Sequence, residues 1–477
     1  MQRSLVIALS LLSTGCMVGP RYSRPAVITP PGFVNAAEAS AVLPLETLWW
    51  KTFHDAELDS LIARGIGANL DLEQASARVA QARASAGVAR SQLAPDSNLT
   101  GGATRDRQRF FTGIRPNGSP ELRAVNFKDF VANFDASWEI DLWGRIRSRY
   151  HAALYDLAAQ EQDRRDVLIL LLSEIGRNYA ELRGAQLRLD IAARNQRDES
   201  NIVSLTEIRA AAGLATERDV SQAKAALASL EATIPPLQSS FLVSLHRLGV
   251  LLGLQPEALR SELSVVAALP EAVNPVGTGV PSALLERRPD IRRAEAQLQA
   301  ATARIGVAKA DYFPRITIKA SGGRDANQFQ DLSLGASSIF GIGPSFSVPL
   351  FNAGRIRSNV RLERARAQEA GTKFRASVLN ALEESENALA RLAQEQSRAA
   401  KLQIEVDQEK TVLLLSQVQY KAGLVDFTTV LTAERDLQTA EDQIAQSRVA
   451  QTTNLIAVYK ALGGGWEISA SAPATKP

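Results

Sequence analysis

The sequence predicts an α+β chain written twice in tandem, and three observations carry that prediction. First, Gly144-Arg145-Ile146-Arg147 recurs as Gly354-Arg355-Ile356-Arg357, an offset of 210. Ala212-Gly213-Leu214 and Ala422-Gly423-Leu424 share that offset, as do Leu252-Gly253 and Leu462-Gly463. Second, each copy holds stretches in which apolar and polar residues alternate, the period of a strand with two unlike faces. Third, each copy holds a long proline-free run rich in Ala, Leu, Arg, Glu and Gln, as a long helix requires.

Arg3, the apolar run Leu5–Leu12 and the small residues Ser13-Thr14-Gly15 read as a secretory signal over residues 1–15. Cys16, the only cysteine of the 477 residues, follows directly. A lone cysteine in an exported chain has no internal disulfide partner, and its position after a cleavage site predicts lipidation. Residues 16–68 are expected to form an N-terminal anchor and equatorial segment, and residues 69–253 the first repeat. An Ala-rich helix opens that repeat, with Ala75, Ala82, Ala86 and Ala89 among its small residues, and Pro95 ends it. Its Gly87-Val88-Ala89 recurs as Gly306-Val307-Ala308 at an offset of 219, so the first copy carries nine extra residues between Pro95 and Gly144.

Two strands follow in each copy. Phe130, Ala132, Phe134, Ala136, Trp138 and Ile140 alternate with Asn133, Asp135, Ser137 and Glu139. In the second copy Phe340, Ile342, Phe346, Val348 and Leu350 alternate with glycines and serines. Leu99-Gly101-Ala103 and Ile316-Ile318-Ala320 supply shorter partners. Spans of roughly 9–11 residues with one apolar and one polar face suit lipid-facing strands of a water-lined barrel. A soluble sheet packed on a core gives the same alternation. Four strands cannot close a barrel around water, so the barrel reading requires several chains to pool their strands.

From Gly144 to Gly213 the pattern is one helix, a rod of about 100 Å. The returning arm from Gly213 to Gly253 is shorter, and the Ala-rich helix is expected to stack on it end to end. Gly354–Gly423–Gly463 repeats this arithmetic. Residues 254–281 form a linker with Pro and Gly, residues 282–465 the second repeat, and 466–477 a small, polar tail expected to be disordered.

The chain resembles the outer membrane factor family of TolC-like efflux channels, in its lipoprotein branch of the OprM and NodT type. The resemblance rests on Cys16-Met17-Val18-Gly19-Pro20, Trp49-Trp50, Trp138-Glu139-Ile140-Asp141-Leu142-Trp143-Gly144-Arg145, Arg287-Arg288-Pro289-Asp290-Ile291 and Pro349-Leu350-Phe351-Asn352-Ala353-Gly354. It implies a homotrimer whose four strands per subunit make a twelve-stranded β-barrel in the outer membrane, continuous with a long periplasmic α-helical barrel. It implies passive conduction of drugs, metals or other small solutes. A periplasmic adaptor and an inner-membrane transporter, usually of the resistance-nodulation-division type, are the implied partners. By the same resemblance Ala212, Gly213, Leu214, Ala422, Gly423 and Leu424 are docking tips for the adaptor. A periplasmic gate is expected near Asp426, Thr429, Thr432, Glu434 and Arg435, with threonines where many relatives carry acids.

Other classes find less support. Lys plus Arg number 54 against 51 Asp plus Glu, with interspersed signs and no basic stripe, so nucleic acid is not an expected partner. His54, His151 and His246 stand apart from other metal ligands, no nucleophile elbow or phosphate loop is present, and neither catalysis nor a cofactor is expected. A protein-export duct and a structural lipoprotein with coiled-coil arms remain the alternatives.

Overall fold

The computed structural model describes residues 17–35, 46–271 and 277–467. Cys16, the signal segment and most of the C-terminal tail therefore lie outside the described residues. The chain forms two compact units, one from residues up to Pro25 with Ala80–Ala159 and Glu295–Lys373, the other from Ala26–Val79, Gln160–Ala294 and Phe374 onward.

The elements are α1 (Ala56–Ala68), α2 (Leu70–Ser91), β1 (Asp96–Ile114), β2 (Pro120–Ile140), α3 (Arg145–Ala211), α4 (Glu217–Glu231) and α5 (Ile234–Leu251). The second half continues with α6 (Pro289–Ala310), β3 (Arg315–Ala326), β4 (Ser338–Ser347), α7 (Arg355–Lys421) and α8 (Phe427–Ala461). Both α3 and α7 run 67 residues, about 100 Å of helix each.

The first unit carries one antiparallel sheet in the order β1-β2-β3-β4. Its register sets Leu99 opposite Phe134, Phe134 opposite Gly322, and Gly322 opposite Phe340. Ile318, Ala320, Ile342 and Phe346 share that face by alternation, while Asn133, Asp135, Lys319 and Ser345 take the other. The apolar face covers no core: Leu99 and Phe340 are each 82% exposed. The expected strand length of about ten residues holds for β3 and β4, with 12 and 10. It fails for β1 and β2, with 19 and 21: the nine extra residues of the first copy lengthen this hairpin, and in the second copy residues 327–337 leave the strands for 3-10 turns and bends. The apolar alternation stops where Arg105 meets Lys128. Pro349 prevents β4 from reaching Leu350, and the strand ends at Ser347.

Trp138–Arg145 closes this unit at the strand–helix junction. Arg145 donates to both Glu139 oxygens, and Asp141 accepts from the Arg147 backbone N–H at 2.8 Å, capping α3. The Trp143 indole donates to the Pro314 carbonyl at 2.9 Å and stacks on Phe313.

The second unit has an interior of its own. Trp49 stacks on Tyr459, Tyr179 donates to Asp55 at 2.8 Å, and Leu172, Ile175, Leu245 and Leu248 are fully buried. Here the expected stacking of short helices end to end is found twice. The Asn69 amide donates to the Leu251 carbonyl, the open end of α5, while its oxygen accepts from Leu72 N–H and starts α2. At the matching joint of the second copy, Arg288 donates to the Ala461 carbonyl of α8 just before α6 begins. Arg288 is itself held by Asp290 and Glu384, so the Arg-Arg-Pro-Asp motif is a helix joint. The first returning arm is not one helix: Pro235 and Pro236 lack the N–H groups a continuous helix needs, and the arm breaks into α4 and α5.

Candidate functional site: the helical tips and the face behind them

Both long helices end in the same device. Leu214 N–H bonds back to the Arg209 carbonyl and Gly213 N–H to Ala210, and Leu424 and Gly423 do the same with Gln419 and Tyr420. This paired 6→1 and 5→2 pattern requires a left-handed residue after the helix, and Gly213 (φ 74°) and Gly423 (φ 71°) supply it. The leucine that follows would normally fold against its own helix. Here Leu214 is 68% and Leu424 74% exposed. Leu205, Ile208, Leu414, Leu415 and Val418 are also exposed on the last turns of α3 and α7. Apolar side chains crowded at a polar helix end mark a surface built to be covered.

The chain turns from each tip into a capped helix, with exchanged residue types. In the first copy Thr216 caps α4, and its N–H and hydroxyl donate to Asp219 at 2.8 Å. In the second copy Asp426 caps α8, accepting from the Thr429 N–H at 3.0 Å and hydroxyl at 2.7 Å. Those two bonds hold the Asp426 carboxyl below its ordinary range. The Arg209 guanidinium lies 4.9 Å over the Tyr420 ring, joining the two tips.

The five residues read as a gate do not form one cluster. Asp426, Thr429 and Thr432 line one exposed cleft with Val412, Ser416 and Asp436. Asp436 was missed by the sequence reading, because a lone acid in a mixed-charge helix has no phase until the helix is packed. Arg435 lines a second cleft with Leu431 and Thr439, beside α3 and α4, and Thr428 and Thr432 line both clefts. Glu434 points inward. It is buried with Glu199 of α3, and one oxygen of each carboxyl has no hydrogen-bond partner. Burial first, then the nearby Glu199 and Asp198 charges, push Glu434 up to about 7. Burial also raises Glu199, against a hydrogen bond to Gln438.

A sheet apolar on its uncovered face, doubled long helices and matched tips describe a membrane-embedded conduit with a helical extension. Known proteins agree. The outer membrane efflux protein family matches residues 61–254 and again 280–464, one match per repeat. The chain belongs to that family. It is 36% identical over 425 residues to the pyoverdine export outer membrane protein OpmQ of Pseudomonas aeruginosa, covering 88% of this chain and 87% of that one. It is 30% identical to the toluene efflux pump outer membrane protein TtgF of Pseudomonas putida, over 99% of this chain and 98% of that one. Among solved structures it resembles the outer-membrane channel OprN, with a TM-score of 0.87, 34% identity, and coverage of 95% of this chain and all of that one. The chain is thus an outer-membrane efflux channel protein, and its sheet is the part that meets lipid. No helix among the described residues is long and apolar enough to cross a membrane.

Proposed function

We propose that three copies of this chain pool their strands into one twelve-stranded barrel and act as the exit duct of a tripartite efflux pump. One observation carries this reading: a four-stranded sheet with an uncovered apolar face whose outer strands β1 and β4 are each paired on one side only. In lipid an unpaired strand edge is not tolerated, so β4 of one copy must meet β1 of the next. The long helices then continue into the periplasm as a tunnel. The tips at Ala212-Gly213-Leu214 and Ala422-Gly423-Leu424 dock a periplasmic adaptor through their exposed leucines, and an inner-membrane transporter of the resistance-nodulation-division type supplies the energy. The channel itself performs no chemistry. Cys16 carries the lipid anchor, and the domains divide at residues 15, 68, 253, 281 and 465. Cargo is chosen upstream, in keeping with relatives named for pyoverdine and for toluene. The gate is the Asp426, Thr429, Thr432 and Asp436 face, with Arg435 and the inward Glu434 beside it.

The test uses the full chain in planar bilayers together with paired cysteines placed on β1 and β4. Discrete conductance steps and disulfide-linked trimers are expected. A monomer that never conducts would sink the proposal.

A further inference from the structure

The two copies hold their junction arginines differently. In the first, Arg145 and Arg147 are gripped by Glu139 and Asp141. At the matching positions of the second copy stand Pro349 and Phe351, so Arg355 and Arg357 lose both acids. Arg357 instead opens a row at helical spacing with Arg361 and Arg364 on the first turns of α7. These three and Lys309 of α6 line one cleft of about 620 Å³, floored by Tyr312 and Phe313. No carboxylate among the described residues lines it. None of the four cations has an ion-pair partner among the described residues. Acids close in sequence are engaged elsewhere, Asp311 with Arg315 and Glu363 with Arg366.

Four like charges around one cleft repel each other, and the arrangement gains stability from an anion. The cleft's place in the fold says which anion. It lies between the residues that lead into β3 and those that follow β4, where the apolar face of the sheet gives way to helix. Val18, two residues from the lipidation site Cys16, also lines it. Aromatic rings beside cations at the edge of an apolar band match the headgroup layer of a membrane.

We infer that Lys309, Arg357, Arg361 and Arg364 form a binding site for the phosphate of an acidic phospholipid in the leaflet facing the periplasm. The site rests on the barrel reading above. Bound lipid would fix the height of the barrel in the membrane beside its anchor.

The test takes the purified full-length protein through vesicles of phosphatidylcholine, with and without about one-fifth phosphatidylglycerol, and counts retained lipid by native mass spectrometry. The parent is expected to keep phosphatidylglycerol in preference to phosphatidylcholine. Arg361→Gln with Arg364→Gln is expected to lower that retention about fivefold, and the Lys,Lys variant to restore most of it. Arg391→Gln with Lys401→Gln, on exposed positions further along α7, should change nothing. Equal retention in parent and Gln,Gln variant overturns the site. So does full displacement by inorganic phosphate, which would mark a free-anion site. A Gln,Gln variant that loses its trimers overturns it too, since the cations would then serve carboxylates of a neighbouring copy. Conductance on the same preparations separates the readings: a parent that conducts without holding acidic lipid sinks this inference alone, and one that never inserts sinks the barrel as well.

Discussion

The two halves of this chain are copies that diverged where their surroundings differ and stayed alike where the backbone demands it. The helix ends at Gly213 and Gly423 keep the same hydrogen bonds, because only a left-handed residue allows them. The joints at Asn69 and Arg288 use different side chains for one task, satisfying the last carbonyls of a helix. The strand hairpins differ most, 19 and 21 residues against 12 and 10. Duplication thus preserved backbone solutions and left the faces free to specialise.

The largest expected effect breaks the symmetry of the tips. Leu214→Asp with Leu424→Asp should abolish export, read as the loss of resistance in a complemented deletion strain, while trimers survive in cross-linking. The single variants, compared on the same plates, show whether the adaptor uses both copies equally. Unchanged export in the double variant would remove the docking role.

Next comes the strand comparison. Phe340→Arg, inside the apolar band, should cost about 2–4 kcal/mol in refolding into lipid vesicles. Phe111→Arg, in the extension of the first hairpin, should cost roughly 0–1 kcal/mol. Equal costs would mean that the extension also lies in lipid.

Third, Glu434 ties the second copy to Glu199 of the first. Unfolded, its carboxyl releases its proton near the usual 4.5; folded, it holds it to about 7. The unfolded chain therefore binds fewer protons between those values, and stability falls as pH rises from about 4.5 to 7. The loss is about 2 kcal/mol after allowance for solvent screening. Glu434→Gln should flatten this part of the stability profile in urea unfolding of solubilised trimers, and Asp436→Asn on the exposed face should not.

The smallest effect is expected at the caps. Thr216→Ala and Asp426→Ala should each cost about 1 kcal/mol, read as similar shifts in the thermal midpoint. A much larger loss of export in Asp426→Ala than in Thr216→Ala would give Asp426 a gating role beyond its cap.

Much of the architecture was legible because it rests on period and punctuation. Alternation from Phe130 to Ile140 gave β2 its faces, and Gly213 and Gly423 gave the turns. The missed parts depended on partners distant in sequence. Pro235-Pro236 mark the break in the returning arm locally, while Asp436 and Glu199 have no legible role because helix phase alone does not say which neighbour a side chain meets. The split of Asp426, Thr429 and Thr432 from Glu434 has the same cause, a rotation of about 100° per residue that sends adjacent positions to different surroundings.

By itself the sequence determined the duplication, the strand faces, the long helices and the glycines that end them, since each follows from local sterics and the spacing of apolar residues. The tertiary structure alone decided which charges are paired. Arg147 finds Asp141, Arg357 finds no acid among the described residues, and Glu434 is buried against Glu199. Charge pairing depends on distance and desolvation, and both exist only once helices far apart in the chain have come together.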